Sequence, residues 1–183
     1  MLCGRNIKNA MGNKTYLKDP RLSPKVEVKH SPTHGKGMFA LVSIKRDEII
    51  AIWGGNFVTA EAAKEAREKG MAVQQINEDI FEIFDYGRRG EDPTYFHNHS
   101  CDPNTWMKDE VIIIARRDIK YGEELTIDYA MFVIDDKYVM PGECKCGSTL
   151  CRHIITGNDW RIKELQERYK GHFSPYLNEK IKR

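Results

Sequence analysis

Three cysteines fall within eight residues, in the pattern Cys144-x-Cys146-x-x-x-x-Cys151. A cluster this dense suits three thiolates on a tetrahedral zinc, whose structural sites take four Cys or Cys/His ligands. The fourth ligand is missing locally, so a second part of the chain has to fold onto the cluster. Cys101 is the best fourth, because Cys3 belongs to an expected N-terminal arm; His97, His99 and His153 compete for the same place. The chain's five cysteines do not make an even disulfide ladder. A reducing compartment would keep them as thiols, which favours metal over disulfide.

At 183 residues, with 40% apolar and 31% charged side chains, the chain suits one domain with a real core and terminal decorations. Its formal net charge of +2 creates no overall field for nucleic acid or an anionic membrane, so a protein partner is expected and a nucleic-acid partner is not. Apolar runs such as Val111 to Ala115 fall far short of the roughly 20 residues needed to cross a bilayer. The segment from Met1 to Arg21 lacks the apolar stretch of a secretory signal. The expectation is a flexible arm over residues 1–22 of an intracellular protein, cytoplasmic or, in a eukaryote, nuclear.

Val26 to His30 alternates with period two and predicts a half-buried strand. His34 to Ala40, with Gly35 and Gly37 around Lys36, is expected as a loop that lets backbone approach a ligand, before a strand over Glu48 to Trp53. Thr59 caps a predicted surface helix running to Lys69, with Gly70 placed to end it. Ile80 to Phe84 and Val111 to Ala115 predict strands, the second buried on both faces. Asp159 caps a second expected helix, with Ile162, Leu165 and Tyr169 on one side and Gly171 at its end.

Two further blocks precede the cysteines. Residues 98 to 104 read Asn-His-Ser-Cys-Asp-Pro-Asn, and Gly122 to Tyr129 read Gly-Glu-Glu-Leu-Thr-Ile-Asp-Tyr. In this order and spacing, ending in Cys-x-Cys-x-x-x-x-Cys, the chain resembles the SET-domain protein lysine methyltransferases that carry a post-SET zinc segment. The resemblance spans about residues 25 to 155 and leaves the arm and the final helices uncovered. It implies a mainly β fold with peripheral helices, the α+β SET β-clip with a C-terminal pseudoknot. It also implies S-adenosylmethionine as cofactor, a structural zinc, and a lysine-bearing protein or peptide, histone-like among others, as substrate. The corresponding division is an arm at 1–22, a SET domain at 23–135, a post-SET zinc segment at 136–157 and a helical extension at 158–183.

Carried over residue by residue, the resemblance makes Cys101, Cys144, Cys146 and Cys151 the zinc ligands. It makes Lys36, Gly37, Met38, Asn98, His99 and Tyr129 cofactor contacts. Tyr129 closes the Glu-Leu-x-x-Asp-Tyr motif and is the expected catalytic group. Its hydroxyl can orient the amine and stabilise the polarised methyl without acting as a base. Trp53, Tyr86, Phe96, Ile127 and Phe132 are the expected substrate-channel residues, since apolar walls lower a lysine pKa and aromatic rings tolerate methylated ammonium. Non-catalytic peptide binding in the same cleft and a small zinc-binding nucleic-acid module are the rival readings; the second leaves the Asn98 and Gly122 blocks without a role.

The chain departs from the family at three places: Trp53-Gly54-Gly55 stands for Tyr-x-Gly, Tyr95-Phe96-His97 for Arg-Phe-x, and Ile127 for Phe or Tyr. Isoleucine has no hydroxyl to hold a water or the amine, so more than one methyl group should be added. Ile127→Tyr is expected to shift product toward monomethyl-lysine when product masses are resolved, and an unchanged distribution would remove Ile127 from the channel.

Overall fold

The chain is built from strands of two to five residues, because β-branched and aromatic side chains recur in short alternating runs broken by turn residues. The computed structural model describes residues 16–85 and 90–183. Its first sheet runs in the order β1 (Arg21–Leu22), β4 (Ile49–Ile52), β10 (Ile112–Ala115), β9 (Thr105–Met107). The second is β2 (Val26–His30), β3 (Lys36–Ala40), β11 (Glu124–Ile127), β8 (Asn98–His99). The third is β5 (Asn56–Thr59), β7 (Ile80–Phe84), β6 (Ala72–Gln75). The molecule is mainly β, as expected. Among the described residues three α-helices accompany the sheets: α1 (Ala60–Glu68), α2 (Lys163–Arg168) and α3 (Pro175–Lys182).

Among the described residues every pairing between strands but one is antiparallel. The exception, β11 beside β8, sets Thr126 opposite Asn98 and Ile127 opposite His99. Parallel neighbours require a long crossover, and this one brings the two motif blocks together. The main core lies between the first two sheets, where Met38, Ile50, Met107, Ile113, Leu125, Ile127 and Met131 are fully buried. Ile113, Ile114 and Ala115 are all buried, as their unbroken apolar run requires. Helix α1 lays Ala63 and Ala66 on the third sheet; Thr59 begins it in an extended conformation and Gly70 follows its end at φ +77°. No helix among the described residues is long and apolar enough to cross a membrane.

Three expectations are corrected. The segment from Lys36 to Ala40 is not a loop but β3, paired on both sides; the turn ends one residue earlier, at Gly35. Gly37 belongs in this strand because a Cβ there would lie 2.2 Å from Glu124 Oε1 and 2.9 Å from Asn98 Nδ2. Its smallness admits two polar side chains rather than a bend.

The expected arm is built into the fold from Tyr16 onward. Tyr16 is buried, stacks on Phe57 at 4.4 Å and hydrogen-bonds to Glu110, while Leu17 bridges Gly54 and β1 pairs with β4. The earlier part of the arm lies outside the described residues.

Asp159, finally, caps no α-helix. It opens a 3-10 turn through Arg161, and its carboxylate is turned inward to Arg152, Thr156 N and Thr156 Oγ1. Helix α2 starts four residues later, with Ile162 at its N-cap.

The C-terminal helices close the core from outside. Leu165, Tyr169, Phe173 and Leu177 are buried in it, and Ser174 N donates to Met131 O at 2.7 Å. Ser174 caps α3, with Pro175 in the first turn, where its missing N–H costs nothing. Leu177→Ala should lower the unfolding free energy by about 2–5 kcal/mol, the range for deleting a buried leucine side chain. Urea titration measures this, and a loss within experimental error would mean that α3 does not seal the core.

Candidate active site

Cys101 lies just past β8, and the chain returns to it with Cys144, Cys146 and Cys151. Their four sulfur atoms all lie within 4.8 Å of one another. Four thiolates around a zinc at about 2.3 Å would stand about 3.8 Å apart, so the set fits a metal ion with a small contraction. The competing histidines are engaged elsewhere. His97 is buried against Thr105, with Nε2 3.0 Å from Oγ1, and His153 is exposed beside Glu143. His99 touches the cluster only through Nε2, 3.3 Å from Cys101 Sγ.

His99 has a defined tautomer. Its Nδ1 accepts from Tyr129 N at 3.2 Å, so the ring proton sits on Nε2, facing the sulfur. Burial drives its pKa down to about 4 despite the opposing charge of Asp128, which keeps the ring neutral. The 3.7 Å approach of Asp128 Oδ1 is therefore no ion pair. The partner of Asp128 is Arg152, whose guanidinium donates to both carboxylate oxygens at 2.7 Å and through Nε to Asp159 at 2.9 Å. Asp128 also accepts from Tyr169 Oη at 3.0 Å and from Ala130 N at 3.0 Å. Burial opposes the charge on Arg152, but its hydrogen bond to Asp128 and that residue's charge hold the guanidinium above its usual range.

On the other side of β8, Asn98 Nδ2 donates to Glu124 Oε1 at 2.7 Å, Lys36 O at 3.0 Å and His34 O at 3.2 Å, binding the Gly35 turn to β11. A cavity of about 340 Å³ opens there between Thr33, His34 and Gly35 and the cysteine-rich segment at Gly142, Glu143 and Lys145. Lys36 is exposed, whereas Met38 is wholly buried, side chain and main chain alike, between β2 and β11, so it offers no surface to a ligand.

A larger cavity, of about 740 Å³, is lined by Trp53, Ile127, Tyr129 and Phe132, four of the residues considered for the channel, among others. Phe132 stands edge-on to Trp53 at 5.0 Å and to Tyr129 at 5.6 Å, and Tyr129 edge-on to His99 at 5.1 Å. The Tyr129 hydroxyl donates to His97 O at 3.3 Å. Phe96 is not brought to this cavity: it packs against the main core, with the Lys36 ammonium 5.4 Å from its ring centroid. Tyr86 lies outside the described residues.

Sequence reasoning missed Arg152, Asp128 and Tyr169 as one network, although an arginine directly after the last cysteine is a visible signal. It also missed Glu82, a carboxyl between aromatic and apolar neighbours on β7 that lines the larger cavity.

The signature of the SET domain family matches residues 35–130, and the chain belongs to that family. It is 33% identical over 143 residues to the histone-lysine N-methyltransferase set-2 of Caenorhabditis elegans, covering 71% of this chain and 9% of that protein. It is 30% identical over 141 residues to human histone-lysine N-methyltransferase 2B, covering 71% of this chain and 5% of that protein. For the histone-lysine N-methyltransferase ATX2 of Arabidopsis thaliana the identity is 27% over 174 residues, covering 88% of this chain and 15% of that protein. The chain thus spans only a small part of the length of these curated relatives.

Burial raises the Glu82 carboxyl from 4.5 to about 8, with the nearby charge of Asp92 adding to it. Between these pH values the folded chain keeps a proton that the unfolded chain has lost. Glu82 therefore makes stability fall as pH rises through this window and level off above it. Unfolding free energies measured across the window should decline less for Glu82→Gln than for the wild type, and equal slopes would contradict the burial of this carboxyl.

Proposed function

We propose that this chain is an S-adenosylmethionine-dependent protein-lysine N-methyltransferase whose four clustered cysteines hold a structural zinc. The observation that carries the reading is the position of Tyr129, between the Asn98–His99 block and the aromatic cavity. The names of the relatives support a histone-like, lysine-bearing protein as substrate.

Lys36, Gly37, Asn98, His99 and Tyr129 would hold the cofactor, beside the smaller cavity at the Gly35 turn; Met38, wholly buried, would not touch it. When bound, S-adenosylmethionine supplies a methyl group made electrophilic by its sulfonium. Asn98 keeps the turn and β11 in register through the two hydrogens of its amide, shared among His34 O, Lys36 O and Glu124 Oε1. His99, neutral and anchored to Tyr129 N, fixes the main chain at the catalytic tyrosine.

A lysine amine with a pKa of about 10.4 costs roughly 4–5 kcal/mol to deprotonate near neutral pH. Trp53, Ile127 and Phe132 would reduce this cost by removing water from the ammonium. The Tyr129 hydroxyl donates to His97 O, and its oxygen would face the amine and the polarised methyl hydrogens, a preorganised electrostatic contribution. The four thiolates would contribute zinc-binding energy of about 10–16 kcal/mol to the folded state.

The test is transfer of labelled methyl from S-adenosylmethionine to lysine in histones and cell-extract proteins, comparing wild type with Tyr129→Phe after both are shown to bind cofactor. The variant should be slower by about 100-fold or more, the scale of losing one preorganised hydrogen-bonding group. Equal rates would remove Tyr129 from the chemistry. Cofactor binding without any transfer would favour the non-catalytic peptide-binding reading, and a folded, zinc-loaded chain that binds no cofactor would overturn the proposal.

A further inference from the structure

Glu82 is a buried acidic side chain with 7% of its surface exposed, and among the described residues it has neither a hydrogen-bond nor an ion-pair partner. A carboxyl in that position is costly unless something pairs with it. It lines the larger cavity together with Phe84, two residues further on the same face of β7. The fold makes room for it. Gly55, at φ +152°, passes so close that a Cβ would lie 2.7 Å from Glu82 Oε1, so any other residue there would push the carboxyl aside. Asp92, Asp135 and Asp136 line the same cavity against Arg67 and Lys137, an acidic excess among the described residues of its walls.

An acidic, aromatic-walled cavity with a buried, unpaired carboxyl is complementary to a cation. The methyl-accepting amine is the wrong cation for it, because a carboxylate beside that amine would hold it as ammonium and oppose transfer. At about 740 Å³ the cavity is also larger than one lysine side chain needs; its volume is that of a site for a whole drug-sized ligand.

We infer that Glu82 is a specificity residue that binds a second cationic side chain of the substrate, an arginine or lysine close in sequence to the lysine presented to Tyr129. This deepens the proposed function and rests on it for the presence of a peptide in the cavity. The pairing would satisfy Glu82 only when such a substrate is bound, so a basic flank is read as affinity and an acidic or apolar flank leaves the carboxyl unpaired. The raised pKa of Glu82 is in keeping with a group that lacks its partner in the free protein.

The test uses the full zinc-loaded chain and fluorescent alanine-glycine peptides with one central lysine, carrying arginine, lysine, alanine or glutamate at each flanking position in turn. Affinity is read by fluorescence anisotropy and methyl transfer is measured in parallel. At one flanking position arginine or lysine should bind about tenfold or more tightly than alanine, the scale of one desolvated charge pair. In Glu82→Gln, which keeps the shape and removes the charge, the ratio between the two peptides should fall to near one. The ratio is taken within each variant, so partial loss of folded protein does not mimic the result. No preference in the wild type, no binding of any peptide, or a preference undiminished in Glu82→Gln overturns the inference. A Glu82-dependent preference without methyl transfer leaves it standing and defeats the enzymatic reading instead, whereas transfer without the preference does the reverse.

Discussion

The ion pair of Arg152 with Asp128 joins three parts of the chain that are far apart in sequence. Arg152 follows Cys151, the last cysteine of the cluster, and Asp128 precedes Tyr129. Asp159 and Tyr169, which complete the hydrogen bonding, lead into the C-terminal helices. A buried ion pair adds little stability over a well-packed apolar substitute, but losing one partner strands a charge and costs about 3–5 kcal/mol. Its value here is positional. With Asp128 wholly inaccessible and its oxygens bonded from several directions, the backbone leading into Tyr129 has little freedom to shift. Cys101 shares in the arrangement, since its carbonyl accepts from Arg168 and Tyr169 and its sulfur from Arg152 N.

Tyr129 thereby stands between two different environments. On one side, neutral His99 and the Asn98 bridge hold β8, β11 and the Gly35 turn as a polar frame. On the other, Trp53, Phe132 and Ile127 offer rings and branched carbon toward a cavity whose described walls carry an acidic excess. A reaction between a sulfonium and an amine has use for this division. The polar frame suits a zwitterionic cofactor, and the aromatic and branched side chains beside Tyr129 suit an amine that must lose its proton.

The parts legible in the sequence are those in which neighbouring residues state their own requirement. The cysteine spacing, the Asn98 to Asn104 block and the run ending in Tyr129 carry their chemistry in consecutive positions, and the strands at Val26, Ile80 and Ile112 follow from local apolar pattern. The illegible parts depend on a partner elsewhere. Gly37 reads as a loop residue until Glu124 and Asn98 are placed beside it. Asp159 reads as a helix cap until Arg152 draws it inward, and Tyr16 reads as part of a polar arm until Phe57 and Glu110 receive it. Phe96 and Phe132 are equivalent as aromatics in the sequence; only their positions after folding send one to the core and the other to the cavity. Glu82 is the reverse case, a polar residue on the expected strand whose burial no local pattern announces.

The measurement that bears most directly on the proposed role of the cluster is S-adenosylmethionine binding, by titration calorimetry, to the zinc-loaded chain, to the same chain after chelation, and again after zinc is restored. If the four cysteines and the Arg152–Asp128 pair together hold the cofactor frame, chelation should abolish most of the affinity and zinc should return it. Unchanged affinity in a chain proven free of metal would contradict that coupling.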